Sequence, residues 1–361
     1  MTRTCSKKHH PILWLASVSA LAMIALPGSS RAAESANQLA KEQIAEGWIM
    51  LFDGETTYGW ATKGDCKCKV ADGAVVCEGG DGWLVTTTEF CDYILKLQYR
   101  LGSEGKVAIV YGIPKDGDPS KTGTKTEVAS KGGKWEDVEI KAQSARGFIA
   151  IQCVPKLEIR NVFLKPSNTK SIFNGKDLTG WKPLVGPKWP SVFTVTPDGC
   201  LNIKNGPGDI QTEEQWKDFC CQLEIKSENA NPNKVLNSGV FFRAEPGQFW
   251  QGYEAQIRNE FKDNDRTKPV DFGTGAIYNR QAARKVVPSE NEWYTMTIIA
   301  AGNHLSTWVN GYQVTDYTDT NPPGSPRKNQ CRTEAGVISL QGHDPTTNMF
   351  FRNIRVEAYP F

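Results

Sequence analysis

The segment IFNGKDLTGW at residues 172–181 is echoed by LFDGETTYGW at residues 51–60. Each segment opens a stretch rich in β-forming residues, and each stretch closes on an Arg-Asn pair, at residues 160–161 and 352–353. A motif that recurs at corresponding places indicates an internal repeat. We therefore predict two related copies, of which the second is longer and richer in polar and aromatic residues.

The first 32 residues have the pattern of a secretory leader. Basic residues precede an apolar run at residues 12–26, and a small-x-small sequence at residues 30–32 offers a cleavage site. The run is shorter than the about 20 apolar residues that span a bilayer, although an uncleaved anchor is the alternative. We expect an exported protein, periplasmic or extracellular, with no membrane span after leader cleavage.

Charge and cysteine content limit the partners and the compartment. The formal net charge is +2 and no basic cluster stands out, so nucleic acid is not expected as a partner. The ten cysteines favour an oxidising compartment. Disulfides are the preferred interpretation, because Cys66, Cys68, Cys77 and Cys91 lack the paired Cys-x-x-Cys spacing of zinc sites.

Strand-like alternation recurs along the chain, whereas long amphipathic helical patterns are nearly absent. Apolar and polar residues alternate at 95–101, 221–226 and 294–300, and Asn310-Gly311 is a strong hairpin signal. The prediction is an all-β protein with two jelly-roll β-sandwich domains in tandem. Residues 33–166 form a degenerate accessory copy, and residues 167–361 form the full copy that carries the site.

Four segments of the second copy concentrate polar side chains at alternate strand positions. They are residues 237–243, 252–257, 275–278 and 340–344. Alternate residues of a strand share a face, so carboxylate, amide, guanidinium and imidazole groups are expected together on one concave surface. The predicted result is a polar groove of the size of a sugar, which binds an oligosaccharide or glycoside.

Five motifs of the second copy carry a family resemblance. They are IFNGKDLTGW at 172–181, NSGVFFR at 237–243, GYEAQI at 252–257, WVNG at 308–311 and FRNI at 351–354. In this order they resemble the 3-keto-disaccharide hydrolase domain family, formerly a domain of unknown function. The resemblance implies a concanavalin-like fold. It also implies action on 3-keto-glycosides, by elimination to a 2-hydroxyglycal and rehydration.

Such a 1,2-lyase/hydratase needs a base, an acid and a donor. A ketone at C3 acidifies the C2 proton, so a base of near-neutral pKa can remove it, and an acid must protonate the leaving oxygen. His343 is the first choice of base, with Asp344 as its orienting neighbour. Glu254 is the alternative base or the leaving-group acid, and Arg243 and Tyr278 are the candidate donors to the enolate oxygen.

Substrate contacts are predicted at Gln256, Gln341, Asn237, Trp250 and Asp344. The amides would hold sugar hydroxyls, and Trp250 would supply a stacking surface. No metal ligand is assigned, since an asparagine stands at 259 where the family pattern suggests an aspartate. A divalent cation such as calcium remains a candidate cofactor.

A different class of function competes with the enzyme. Jelly-roll sandwiches also serve as non-catalytic, lectin-like carbohydrate-binding modules, which need aromatics and amides but no titrating pair such as Glu254 and His343. A structural envelope protein is a third interpretation, if cysteines bridge different chains. Residue by residue, Glu254 could instead pair with Arg243 or Arg352, and His343 could hydrogen-bond a loop. The repeated Arg-Asn pairs are expected to be structural.

Overall fold

Apart from Met1, all residues that the structure describes follow the predicted leader. The structure is a computed structural model that describes Met1 and residues 36–184, 186–231 and 234–360. The leader predicted at residues 1–32 lies outside the described residues apart from Met1. In the described part of the chain, no helix combines the length and hydrophobicity needed to cross a bilayer.

The first copy folds into two antiparallel sheets. Its elements are helix α1 (Lys41–Ala45) and strands β1 (Ile49–Met50), β2 (Trp60–Gly64), β3 (Lys67–Ala71), β4 (Ala74–Gly79), β5 (Gly82–Thr86), β6 (Tyr93–Leu101), β7 (Gly105–Ile113), β8 (Thr124–Ser130), β9 (Glu136–Ala142), β10 (Phe148–Cys153) and β11 (Leu157–Pro166). One sheet has the order β3-β4-β11-β6-β9, with β1 beside β11, and the other has the order β2-β5-β10-β7-β8.

The second copy repeats this arrangement and extends it. Its elements are β12 (Lys170–Ser171), β13 (Trp181–Pro183), β14 (Val192–Val195), β15 (Leu201–Lys204), β16 (Gly208–Thr212), β17 (Phe219–Ser227), β18 (Ser238–Ala244), β19 (Tyr253–Ile257), β20 (Tyr294–Ala301), β21 (His304–Val309), β22 (Tyr312–Thr318), a short 3₁₀ helix (Pro326–Lys328), β23 (Val337–Gly342) and β24 (Asn348–Ala358). The larger sheet has the order β14-β15-β24-β17-β20-β21-β22, and the smaller one β13-β16-β23-β18-β19.

The sheet orders of the two copies correspond strand for strand. The smaller sheet β13-β16-β23-β18-β19 matches β2-β5-β10-β7-β8, and β14-β15-β24-β17-β20 matches β3-β4-β11-β6-β9. The second copy adds the β21–β22 hairpin, whose turn residues Asn310 and Gly311 both have positive φ. The predicted all-β class, with two concanavalin-like jelly-roll sandwiches in tandem, is confirmed.

The repeated opening motif is a turn closed by a tryptophan. Trp181 is 4% exposed, and its indole N–H donates to the carbonyl of Ile172 at 2.8 Å. Trp60 makes the same contact with the carbonyl of Leu51. In the second copy the Asn174 side chain accepts hydrogen bonds from two backbone N–H groups of the turn. The motif is therefore structural in both copies, and its tryptophans belong to the core.

The repeated closing pair marks a β-bulge. The asparagines, Asn161 and Asn353, adopt φ of 52° and 51° at points where the strand register shifts. In the second copy, Glu224 accepts hydrogen bonds from both Arg352 and Asn353. Asparagine tolerates the left-handed conformation better than most residues, so the bulge explains its recurrence. The geometry therefore supports the structural role predicted for the Arg-Asn pairs, which is to form the bulge.

The two copies share one apolar core region. Cys220, Ile299, Trp308 and Tyr359 of the second copy are buried among the core residues of the first. Trp308 is 1% exposed, and its indole N–H donates to the carbonyl of Met50 at 2.9 Å. The described residues from 36 to 360 accordingly belong to a single compact unit.

Cysteines gather at one end of the first copy. Cys66 and Cys153 form a disulfide, which confirms the disulfide interpretation for this pair. Cys68 and Cys77 face each other across β3 and β4, with their sulfur atoms 2.6 Å apart. Cys91 is not part of this group and lies instead beside Asp92 and Glu357.

Candidate active site

The smaller sheet of the second copy has one apolar and one polar face. The residues that point into the core include Ile210, Val240, Ala255 and Leu340. Because side chains alternate along a strand, their neighbours point the other way. This outer face carries Asp209 and Gln211 on β16, Ser339 and Gln341 on β23, Gly239 and Phe241 on β18, and Glu254 and Gln256 on β19.

Glu254 lies on the edge strand β19, and its side chain extends over Gly239 of the adjacent strand β18, which leaves room for it. A Cβ atom added at Gly239 would lie 2.3 Å from Oε1 of Glu254. Burial raises the pKa of Glu254 to about 8, and the negative charges of Asp271 and Asp209 add to this effect. A carboxyl group with this pKa keeps its proton at neutral pH and can give it away.

Asp209 is a buried carboxyl group that the sequence alone did not single out. It is 0% exposed, and burial raises its pKa to about 7. One oxygen accepts a hydrogen bond from the backbone N–H of Trp250 at 3.3 Å, and the other has no partner among the described residues. Its cross-strand neighbour Gln341 is 2% exposed, with a side-chain oxygen that also lacks a partner in the described part of the chain. Both groups lie below the loop that carries Trp250.

His343 is held between two polar neighbours just beyond the end of β23. Its Nδ1 lies 2.9 Å from the Asp344 carboxylate, and its Nε2 lies 3.2 Å from the amide nitrogen of Asn237. This network assigns the proton to Nδ1 and the lone pair to Nε2, where the Asn237 amide donates. Asp344 can reach the imidazole because the strand ends at Gly342 and the following residues turn.

Asp271 links the imidazole side of the face to the Glu254 side. Its carboxylate accepts hydrogen bonds from Asn237 at 3.4 Å and from Gln256 at 3.1 Å. Its charge contributes to the raised pKa values of Glu254 and Tyr278. Hydrogen bonds therefore connect His343, Asn237, Asp271 and Gln256, whereas Glu254 interacts with this chain through the charge of Asp271.

A cleft opens above Glu254. Its volume is about 170 Å³, and its walls include Phe241, Trp250, Tyr278 and Arg327. Tyr278 is 39% exposed, and burial raises its pKa, so its hydroxyl keeps its proton and can donate a hydrogen bond. The Trp250 ring stacks on His343 with 5.6 Å between centroids and on Phe249 with 4.4 Å. The indole thus forms part of the wall between the cleft and the imidazole.

Arg243 does not belong to this site, contrary to the role predicted for it. Its side chain is 0% exposed, and its guanidinium donates to the carbonyls of Lys217, Gly302 and Arg332 and to the Asp218 carboxylate. The strand register shifts between Phe241 and Ala244, and Arg243 itself has φ of 47°. This bulge breaks the alternation that would have placed the guanidinium on the outer face. A fully buried group cannot donate to a substrate oxygen, so Arg243 is structural.

The family can be stated once this geometry is described. The sequence pattern of the 3-keto-alpha-glucoside-1,2-lyase-like domain matches residues 47–139 and 168–357. The chain belongs to this family. Both copies of the repeat fall within the match, and the second is covered almost from end to end.

Relatives of this lyase-like family member include one curated protein. It is a 3-keto-disaccharide hydrolase of Bacteroides thetaiotaomicron, 26% identical over 242 residues, which are 52% of this chain and 77% of that protein. A candidate glycosyl hydrolase from Parabacteroides distasonis is 25% identical, with a TM-score of 0.41, over 54% of this chain and all of its own. The carbohydrate-binding module CBM66 from Bacillus subtilis is 16% identical, with a TM-score of 0.37, over 50% and 98%. The family and the curated relative support a carbohydrate-active function.

Two residues of the candidate site, Asp209 and Asp271, were not among the site residues predicted from the sequence, for different reasons. Asp209 lies on a strand whose register with β23 cannot be read from the sequence. Asp271 falls in the irregular segment between β19 and β20, which predicts only a charged loop. The alternation of Glu254 and Gln256 does place their strand face correctly. The acidic residues near Glu254 and Gln256 could be found only once the order of the strands was known.

Proposed function

We propose that the second copy cleaves 3-keto-glycosides by elimination across C1 and C2, followed by addition of water. The observation that carries this proposal is the Glu254 carboxyl group, whose pKa is raised to about 8 in an open cleft. A base takes the C2 proton, the electrons pass through the C3 enolate, and the C1 oxygen leaves with a proton. Water then adds at C1 and C2 regains a proton, so the net reaction is hydrolysis.

Glu254 is proposed as the acid that protonates the leaving oxygen. At neutral pH it holds a proton, because burial and two nearby carboxylates disfavour its ionised form. After the elimination it is a carboxylate, and it can take a proton from the water that adds at C1. One group thus serves both steps, as microscopic reversibility requires for acid–base catalysis of this kind.

His343 is proposed as the base that removes the C2 proton. The Asp344 carboxylate holds the Nδ1 proton, so that Nε2 presents a lone pair. Asn237 donates to this lone pair in the free protein, and the substrate would have to displace that contact. The row of Asp209, Gln341, Gly239 and Gln256 lies between His343 and Glu254 on the sheet. His343 lies two residues to one side of this row and Glu254 two residues to the other, a span of roughly 13 Å along the strands. Because the Trp250 ring stacks on His343 and lines the cleft, the loop that carries Trp250 would have to move for one sugar ring to reach both groups.

Tyr278 is proposed as the hydrogen-bond donor to the enolate oxygen, in place of the buried Arg243. Its hydroxyl lies in the cleft wall, and Asp271 and Glu254 both favour its protonated form. A donor aimed at developing negative charge is the usual means of stabilising an enolate. The amides of Gln256 and Gln341 are proposed to contact hydroxyl groups of the sugar.

Calcium or another divalent cation remains a candidate cofactor. In the described ranges, no group of three or more metal-ligating side chains at the cleft has its ligand atoms within 4.8 Å of one another. A cation at the cleft would therefore need amide, backbone carbonyl, water or substrate oxygens among its ligands. Export to the periplasm or the extracellular space is likewise part of the proposal, on the leader pattern alone.

The decisive experiment compares a 3-keto-glucoside with the unoxidised glucoside. The protein is incubated with each in deuterated water, with and without chelator, and the products are followed by NMR. We expect aglycone release and deuterium at C2 from the keto substrate only. Ring-signal broadening of both sugars without turnover would instead indicate a carbohydrate-binding module. An equal release from the unoxidised glucoside would overturn the lyase mechanism.

A further inference from the structure

A second cluster of chemically active side chains lies where the two copies meet, away from the cleft. Cys91 and Asp92 immediately precede β6 of the first copy, and Glu357 lies on β24, the last strand of the second. The cysteine sulfur and one carboxylate oxygen from each acid all lie within 4.8 Å of one another. Cys91 is 4% exposed, whereas Asp92 is partly exposed and gives the cluster a side that faces solvent.

The neighbours of Glu357 do not offset the cost of burying its carboxylate. It is 2% exposed, and in the described part of the chain its carboxylate has no hydrogen-bond partner other than the neighbouring Cys91 thiol. Its cross-strand partner on β17 is Cys220, which offers no positive charge. A buried carboxylate that has only a thiol beside it and no opposite charge is strongly unfavourable. Either the group keeps a proton, or a cation occupies the space between it and its neighbours.

The neighbouring groups point to the cation. Asp92 is already oriented, since its carboxylate accepts hydrogen bonds from the backbone N–H of Ser144 at 2.5 Å and from Asn168 at 3.3 Å. Such outer contacts are typical of carboxylates that bind metals. A divalent cation placed between the thiol and the two carboxylates would balance their negative charges.

We propose that Cys91, Asp92 and Glu357 bind a Zn²⁺ ion that joins the two copies. One sulfur and two carboxylate oxygens are three ligands of the kinds that zinc accepts, and water on the exposed Asp92 side would complete a tetrahedron. Calcium and magnesium prefer all-oxygen sites, so the thiolate argues against them. The site is independent of the proposed lyase activity, because none of its residues lines the cleft.

A second cysteine group does not compete for this assignment. Cys66, Cys68 and Cys153 also bring their sulfur atoms together, but Cys66 and Cys153 are consumed in a disulfide. The Cys91 group has no such bond. Zinc bound between Cys91 and Glu357 would also keep the Cys91 sulfur reduced in an oxidising compartment. A thiolate does not form a disulfide while it is bound to a metal.

The test is zinc binding by the full mature chain and by three variants. The variants are Cys91→Ser, Glu357→Gln and the control Cys200→Ser, which removes a buried cysteine that also lies beside a carboxylate, that of Asp198. After dialysis against zinc, we expect one equivalent of metal in the wild type and the control, and at least a tenfold loss of affinity in the other two. Cobalt should give thiolate-to-metal absorption in the wild type and in Cys200→Ser, but not in Cys91→Ser or Glu357→Gln.

Two further measurements use only the wild type and so do not depend on the folding of a variant. Zinc should raise the Tm of the wild type in a concentration-dependent way, because it binds the folded state alone. It should also protect Cys91 from alkylation, as mapped by peptide mass spectrometry. Equal alkylation of Cys91 with and without zinc would overturn the proposal. So would a disulfide between Cys91 and Cys220, or metal that remains bound to Cys91→Ser.

Discussion

Replacing Glu254 by glutamine should lower activity and raise stability, and both effects follow from one raised pKa. The change preserves the shape of the side chain over Gly239 but removes the proton that the carboxyl group gives away. Loss of a general acid typically costs 10²- to 10⁴-fold in turnover, so we expect about a thousandfold lower kcat on an alkyl 3-keto-glucoside. A 3-keto-glucoside with a nitrophenol leaving group should restore most of the rate, because that group departs without protonation.

The stability effect has a definite sign and pH window. A pKa raised from 4.5 to about 8 corresponds to about 5 kcal/mol between the protonated and the ionised form. Because the side chain is partly exposed, we expect roughly half of this to appear in the free energy of unfolding. The folded state binds the proton more tightly, so the wild type loses stability as pH rises from about 4.5 to about 8. The glutamine variant escapes this loss.

Guanidinium unfolding at about pH 5 and about pH 9 measures the difference. The glutamine variant should match the wild type at the lower pH and exceed it by about 2 kcal/mol at the higher one. Glu245→Gln, at an exposed carboxylate in the loop after β18, is the control and should show no such pH dependence. A stability difference for Glu254→Gln that is the same at both pH values would refute the raised pKa. Equal rate losses on both leaving groups would refute the acid role.

Three other substitutions separate catalytic from structural residues. His343→Ala should lower kcat by about a hundredfold or more, with unfolding changed by about 1 kcal/mol or less; a loss of fold instead would make the imidazole structural. Arg243→Met should cost about 3–5 kcal/mol of unfolding free energy, since it leaves the carbonyls and Asp218 without their donor, while kcat per folded molecule stays unchanged. Trp308→Ala should cost about 3–5 kcal/mol in chemical denaturation, and a near-zero effect would mean that the copies do not depend on their shared core.

The fold could be predicted from the sequence because its signals are local. Alternating residues identify strands wherever one face is buried, and the Asn310-Gly311 turn fixes a two-residue hairpin. The repeated opening and closing motifs could be recognised because each solves one backbone problem, a turn or a bulge, with residues close together in the chain. What the sequence could not supply was strand order and the position of the bulge in β18.

That bulge explains the most instructive error in the predicted site. Strict alternation from Gly239 through Phe241 places Arg243 on the outer face, next to the candidate catalytic groups. One extra residue in the strand reverses the direction of every side chain after it. The arginine therefore turns inward, where Asp218 and three carbonyls satisfy it. A charged residue in a strand pattern is thus weak evidence for a site until the register is known.

Strand register also explains why chemistry is assigned to the second copy alone. Aligning β7 with β18 and β10 with β23 places Lys125 where Glu254 lies and Ala108 where Gly239 lies. By the same alignment, Trp83 takes the place of Asp209.

The substitutions change the character of part of the face. Where the second copy has carboxylates and hydroxyls, the first has a small apolar cluster that includes Val110 and Ala150, with Trp83 packed against it. Lys125, which takes the place of Glu254, is exposed, and its ammonium pairs with Glu127. The first copy has instead kept the part that the second one needs, the core around Phe90 on which Trp308 packs. Its retention in the chain therefore follows from the shared core and does not require a second active site.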